Sequence, residues 1–198
     1  FDFIGINEHC TAVCLGDVSG KGLPAAILMA NLQAAIRSQA LLNASARECT
    51  ERSNRLLFHN TDMGKFVTFF YGVLNAAENK LCFSNAGHDN PFLFKNGGEI
   101  LRLKTGGIVL GFIENVSFEQ EDVSLESGDI MLVYSDGITE AMNPDEEEFG
   151  EERLVEIVMN SKESSAWGII DRILEDVGTF TRNKPQMDDM TLVVVKKL

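Results

Sequence analysis

Apolar and polar positions alternate along residues 3–6 and again along 10–16, with the polar pair Asn7 and Glu8 between them, a pattern that predicts a β-hairpin. The second run ends in Leu15-Gly16-Asp17. Glycines recur at Gly20 and Gly22, and there the period changes. Pro24 stands where a first helical turn tolerates proline, and 25–42 carries Ala, Leu, Ile and Met at helical spacing, which predicts a long, largely buried helix. Ser45-Ala46-Arg47-Glu48 is a capping-box pattern that opens a second helix to about residue 60, with Leu56, Leu57 and Phe58 on its later turns.

From Phe66 the β-branched and aromatic content predicts a strand over 66–74, a turn at 76–79 and a return at 80–84. Asn85-Ala86-Gly87-His88 reads as a tight polar loop, and 92–94 and 100–103 as strands joined through Asn96-Gly97-Gly98. Residues 116–123 alternate as a half-exposed strand would, and the unbroken apolar run 130–134 reads as a buried strand that delivers Asp136. Helices are predicted at about 151–160 and 165–181, and a core strand at 190–195. No internal repeat or low-complexity linker interrupts the pattern. Antiparallel strands with helices inserted in pairs imply one α+β domain of two packed sheets covered by helices, with the layering left open.

Composition narrows the function. In 198 residues with 44% hydrophobic content, thirty acids face seventeen Lys and Arg, a net charge of −13. Such a balance opposes binding to a phosphate backbone, so no nucleic-acid partner is expected. Cys10, Cys14, Cys49 and Cys82 form no Cys-x-x-Cys and lie in apolar segments, as reduced core residues do, which fits a cytoplasmic setting. His9, Cys10 and Cys14 resemble a zinc corner only superficially, because strand alternation accounts for them. No apolar run reaches membrane-span length and no signal peptide is visible, so no membrane contact is expected from this domain. Phe1-Asp2-Phe3-Ile4 already reads as mid-strand, which points to the C-terminal part of a longer protein.

Candidate chemistry lies in three acids at strand ends: Asp17 in Leu15-Gly16-Asp17-Val18, Asp136 in Tyr134-Ser135-Asp136-Gly137, and Asp188-Asp189 before Met190-Thr191. An Asp beside glycine at a strand end suits a hard cation such as Mg²⁺ or Mn²⁺, because small neighbours let backbone oxygens approach. Each acid alone is an ordinary turn residue; three in matching settings are not. Gly20-Lys21-Gly22 lacks the Ser or Thr that a nucleotide-binding P-loop places after its lysine, and no Gly-x-Ser-x-Gly elbow is present. The six acids within 145–152 read as solvated surface.

Five segments together, 16–26, 68–73, 85–88, 134–141 and 188–191, resemble the sporulation-type branch of the metal-dependent PPM Ser/Thr protein phosphatases, in that family's order and spacing over nearly the whole chain. The resemblance implies a four-layer α-β-β-α sandwich of two antiparallel sheets flanked by helices, with two Mn²⁺ or Mg²⁺ ions at one end. It assigns a bridging carboxylate to Asp17, a carbonyl ligand to Val18, and further carboxylates to Asp136 and Asp188, with Asp189 competing for the last place. The family's usual Gly-Gly-Asp before an aromatic-Asp pair is represented only by Phe1-Asp2, so an N-terminal strand segment and one ligand are expected to lie outside this chain. Ser19 stands where related eukaryotic phosphatases place an acid histidine. Lys21 either contacts phosphate or is a solvated loop lysine, and His88 reads more readily as a loop-holding residue than as a proton donor.

The resemblance implies hydrolysis of phosphoserine or phosphothreonine on a small regulatory protein, such as an anti-sigma-factor antagonist, by water held between the ions. Paired cations, about 3.5–4 Å apart, neutralise the phosphate and lower the pKa of the attacking water, so no Ser or Cys nucleophile is needed. The rival is a non-catalytic pseudophosphatase that binds a partner. An upstream sensor domain is expected, and a homodimer is left open.

Overall fold

The computed structural model describes residues 1–42, 45–60, 64–182 and 184–198. The chain divides into two compact units, Phe1–Asn90 with Leu103–Leu125, and Pro91–Arg102 with Glu126–Leu198.

In the first unit, β1 (Asp2–Gly5) and β2 (Cys10–Val18) form the expected hairpin, then α1 (Leu23–Ala40) and α2 (Ala46–Asn60) precede β3 (Val67–Asn75) and β4 (Lys80–Ala86). The strands run antiparallel in the order β1-β2-β3-β4, a register that sets Asp17 opposite Thr68 and Val18 opposite Val67. Alternate strand residues, among them Ala12, Cys14, Phe69 and Tyr71, make one core with Leu28, Leu32 and Ile36 of α1 and Cys49 and Leu57 of α2. Helix α2 opens with the predicted capping box. The Ser45 N–H donates to Glu48 Oε2 at 3.1 Å, and the Glu48 N–H donates to Ser45 Oγ at 3.3 Å.

Helix α1 is not largely buried, contrary to the pattern. Only Leu28, Leu32, Ala35, Ile36 and Ala40 are buried, whereas Leu23 is 73% and Ile27 53% exposed. Apolar residues encircle this helix but one face alone meets the sheet. Periodicity also gives no sign of the two-residue strand Gly106–Gly107, which pairs parallel to β4. A Cβ at Gly106 would collide with the Asn85 backbone, so only glycine permits that pairing. The strand expected at 116–123 shortens to Glu121–Ser124 on β4. Upstream of it the Phe118 N–H donates to Glu51 Oε1 and the Glu119 N–H to Gly106 O, and both bonds leave the ladder.

The second unit has a four-stranded antiparallel sheet. Its order is Leu192–Lys196, Ile130–Tyr134, Phe92–Phe94, Ile100–Arg102, here β10-β9-β5-β6 with Gly106–Gly107 as β7 and Glu121–Ser124 as β8. Helices α3 (Asp136–Thr139), α4 (Gly150–Asn160) and α5 (Ala166–Thr181) follow β9, and Ser165 caps α5 by accepting from the Gly168 N–H at 3.1 Å. Ile157, Val158, Ile169 and Ile173 pack with Phe92, Leu132 and Tyr134. The terminal strand is less buried than the pattern suggests: β10 lies at the sheet edge, and only Val193 in it is fully covered. Among the described residues no helix is long and apolar enough to cross a membrane.

Candidate metal centre

In the first unit the acid-bearing end of β2 is built by close approach. A Cβ at Gly16 would lie 3.0 Å from Phe69 Cδ2 and 3.2 Å from Thr68 O, so glycine there lets β2 seat against β3 just before Asp17 and Val18. Asp17 is exposed, and Val18 is buried in the ladder. The next residue closes the loop: the Ser19 N–H donates to Phe66 O at 3.0 Å, and the Phe66 N–H donates to Ser19 Oγ at 2.9 Å. Ser19, at the position of the related enzymes' histidine, therefore works as a clasp. Lys21 is exposed between Gly20 and Gly22, both of which have positive φ, as a tight turn into α1 requires.

His88 lies in the loop that follows β4. Its Nδ1 lies 3.0 Å from Thr68 Oγ1, and Thr68 is the residue opposite Asp17. The Asn85 side chain accepts from the His88 N–H at 2.8 Å and donates to the carbonyls of His88 and Leu103. The polar loop expected at 85–88 is shorter than the pattern suggests: Asn85 and Ala86 still belong to β4, and the Asn85 side chain holds the turn that follows at Gly87-His88.

In the second unit the two remaining acid segments meet through Ser135. Its hydroxyl donates to Asp189 O at 2.8 Å and accepts from the Thr191 N–H at 2.9 Å, while its own N–H donates to Thr191 O at 3.0 Å. A side chain at Gly137 would strike the Asp189 carbonyl, so the Asp-Gly of this turn is a packing requirement. Asp136 opens α3 immediately after β9, and Asp188 sits in the turn before β10, where its carboxylate accepts from the Asp189 N–H at 2.9 Å. Asp136, Asp188 and Asp189 are brought together, and Asp17 and Val18 stand side by side on β2. Among the described residues no three His, Cys, Asp or Glu side chains form a ready metal-sized cluster.

The donor chemistry of these segments fits a hard cation: carboxylate and carbonyl oxygens, with no thiolate or imidazole among them. The local field agrees. Burial, and then the negative charges of Asp136, Glu148 and Asp188, push Glu140 above the ordinary carboxylate range. Such crowding of acids is relieved by a bound cation. Ser135 and Glu140 escaped the sequence reading, although Ser135 could have been found as the residue between a buried strand and its acid. Three of the cysteines offer no rival nucleophile. Burial pushes Cys14 up to about 12 and Cys49 and Cys82 up to about 11, so these three are thiols near neutral pH.

Comparisons with known proteins bear on the fold and the family. Protein IcfG of Synechocystis sp. is 26% identical, matched over 98% of this chain and 35% of its own length. Phosphoserine phosphatase RsbU of Bacillus subtilis is 28% identical over 96% of this chain and 57% of its own length. The chain thus spans from about a third to somewhat over half of these relatives. The structure of the RsbU and RsbW domains of Rv1364c from Mycobacterium tuberculosis, 25% identical, superposes with a TM-score of 0.79 over 99% of this chain and 55% of that one. Residues 7–197 match a sequence profile described as stage II sporulation protein E (SpoIIE), and the chain belongs to that family.

Proposed function

We propose that this chain is a metal-dependent phosphoserine/phosphothreonine phosphatase domain acting on a small phosphorylated regulatory protein, such as an anti-sigma-factor antagonist. The observation that carries the reading is the Ser135 clasp, which ties the residue before Asp136 to the Asp188-Asp189 turn. The similarity to the phosphoserine phosphatase RsbU supports the same substrate class. Asp17, the Val18 carbonyl, Asp136 and Asp188 would hold two Mn²⁺ or Mg²⁺ ions, with Asp189 as the alternative to Asp188. When bound, the ions supply an acidified water and neutralise the phosphate.

The chain's own residues position and shield. Ser19 and Phe66 fix the end of β2, Ser135 and Gly137 fix the second acid turn, and the carboxylates orient their oxygens without taking a covalent role. Lys21 remains either a phosphate contact or a solvated loop residue. An upstream sensor domain and a cytoplasmic location complete the proposal, with a homodimer left open.

A second reading, a binding module without turnover, is favoured by the lack of a ready three-acid cluster among the described residues. Turnover decides between them. The full-length protein with Mn²⁺ should hydrolyse p-nitrophenyl phosphate and a phosphoserine peptide, lose both activities in EDTA, and tolerate serine at Cys10, Cys14, Cys49 and Cys82. Metal-independent turnover, or inactivation by one cysteine change in a folded protein, would overturn the mechanism. Binding of Mn²⁺ and peptide with no turnover would establish the module.

A further inference from the structure

Helix α1 leaves two large aliphatic side chains in water within its first two turns, Leu23 and Ile27, and these form the lip of a groove. Pro24 and Asn31 extend its wall, while Asn60 at the end of α2 and Lys65 just before β3 form the opposite rim. The groove measures about 230 Å³. That is smaller than the roughly 300–1,000 Å³ of sites that enclose a drug-sized ligand or cofactor, and it suits one aliphatic side chain of a peptide.

Its position ties it to the first half of the metal centre. Lys65 precedes Phe66, which exchanges two hydrogen bonds with Ser19, and Leu23 follows the turn that leaves Asp17 and Val18. Both rims are therefore anchored to the loop that carries the proposed ligands. Charge selects the occupant. The chain as a whole carries −13 and repels a phosphorylated protein, but here an ammonium stands at the rim of an apolar wall, with Lys21 in the adjoining turn.

We infer that the groove between the start of α1 and Lys65 is a substrate-docking subsite, which takes an aliphatic side chain a few residues from the phosphoserine while Lys65 attracts the phosphate-bearing segment. The inference rests on the phosphatase reading for the identity of the phosphorylated partner. An extended peptide advances about 3.3 Å per residue, so aliphatic residues two to four positions from the phosphoserine sample separations of roughly 7–13 Å.

The test uses the full-length protein with Mn²⁺ and two synthetic phosphoserine decapeptides. One carries isoleucine at positions two to four from the phosphoserine on both sides, and the other carries alanine there. Hydrolysis and binding by fluorescence polarisation are measured in parallel. The isoleucine peptide should be favoured by about ten- to a hundredfold in kcat/KM, within the range an apolar pocket discriminates. That ratio should fall toward one in Ile27→Ser, and the affinity for both peptides should fall in Lys65→Glu. Equal handling of the two peptides, or an unchanged ratio in folded Ile27→Ser, overturns the groove. Selective binding of the isoleucine peptide with no hydrolysis of either would sink the phosphatase reading while retaining the subsite. Concentration-dependent dimers that block the isoleucine peptide would assign the groove to a second copy and overturn the inference.

Discussion

Ser135→Ala tests whether the turn before β10 serves the metal centre or merely closes the sheet. The hydroxyl makes two hydrogen bonds, to Asp189 O and from the Thr191 N–H, and the residue is buried. Each such bond contributes about 1 kcal/mol, and leaving a buried partner unsatisfied costs more. Asp189 is exposed and Thr191 half-exposed, so water replaces part of the loss. A destabilisation of about 1.5 kcal/mol follows, which for a chain of this length lowers Tm by roughly 3–6 °C. The effect on metal is expected to be larger in proportion. Residues that orient ligands typically change metal affinity about 10- to 100-fold, and Ser135, next to Asp136 in the chain, bonds the carbonyl of the residue that follows Asp188. Calorimetric titration with Mn²⁺, paired with thermal melts of the apo protein, reads both quantities. Gly137→Ala supplies an independent displacement, because its methyl group pushes on the Asp189 carbonyl while the Ser135 hydroxyl stays intact. If both variants melt earlier yet bind Mn²⁺ within twofold of the wild type, the Asp188-Asp189 turn is a fold element and the assignment of Asp188 fails.

Asp17→Ala should remove most Mn²⁺ binding and abolish any rise in Tm on adding Mn²⁺; equal Mn²⁺ affinity in the two proteins would take Asp17 out of the site. Asn54→Ala should destabilise by about 2–4 kcal/mol, because the buried amide accepts from the Gly111 N–H at 2.8 Å and donates to the carbonyls of Ile113 and Glu114 at 2.9 and 3.0 Å; a urea-melt loss below about 1 kcal/mol would show that the 111–114 loop is held by other contacts. Asp129 gives a pH signature. Burial works to raise its pKa, but the N–H groups of Glu126 and Asn96 and the Lys95 ammonium outweigh it, so its folded value lies below the ordinary one. Its stabilisation is therefore fully present above the unfolded value of about 3.9 and is lost as pH falls through the folded value. Asp129→Asn should consequently be less stable than wild type at pH 7 and approach it at strongly acid pH, and a stability gap that stays constant across that range would refute the assignment.

The hairpin at the start, the capping box at Ser45, the meander and the amphipathic helices were legible in the sequence because each rests on local chemistry: a period of two or 3.6, a side chain that caps its own helix, a glycine at a turn. The acids were legible for the same reason, since Asp17 and Asp136 each end an apolar run. Tertiary structure decided what no period encodes. Helix α1 reads as buried because its residues are apolar all round, yet only the sheet could say which face is covered. Gly106–Gly107 has no side chains to alternate, and its pairing with β4 exists only because Asn85 comes so close. Ser135 looks like any serine between a strand and an acid until Thr191 and Asp189, more than fifty residues later, arrive on its two sides. Local pattern thus determined the elements and named the acids, whereas long-range hydrogen bonds determined which acids meet, because a carboxylate's partners are fixed by where the chain returns and not by its neighbours in sequence.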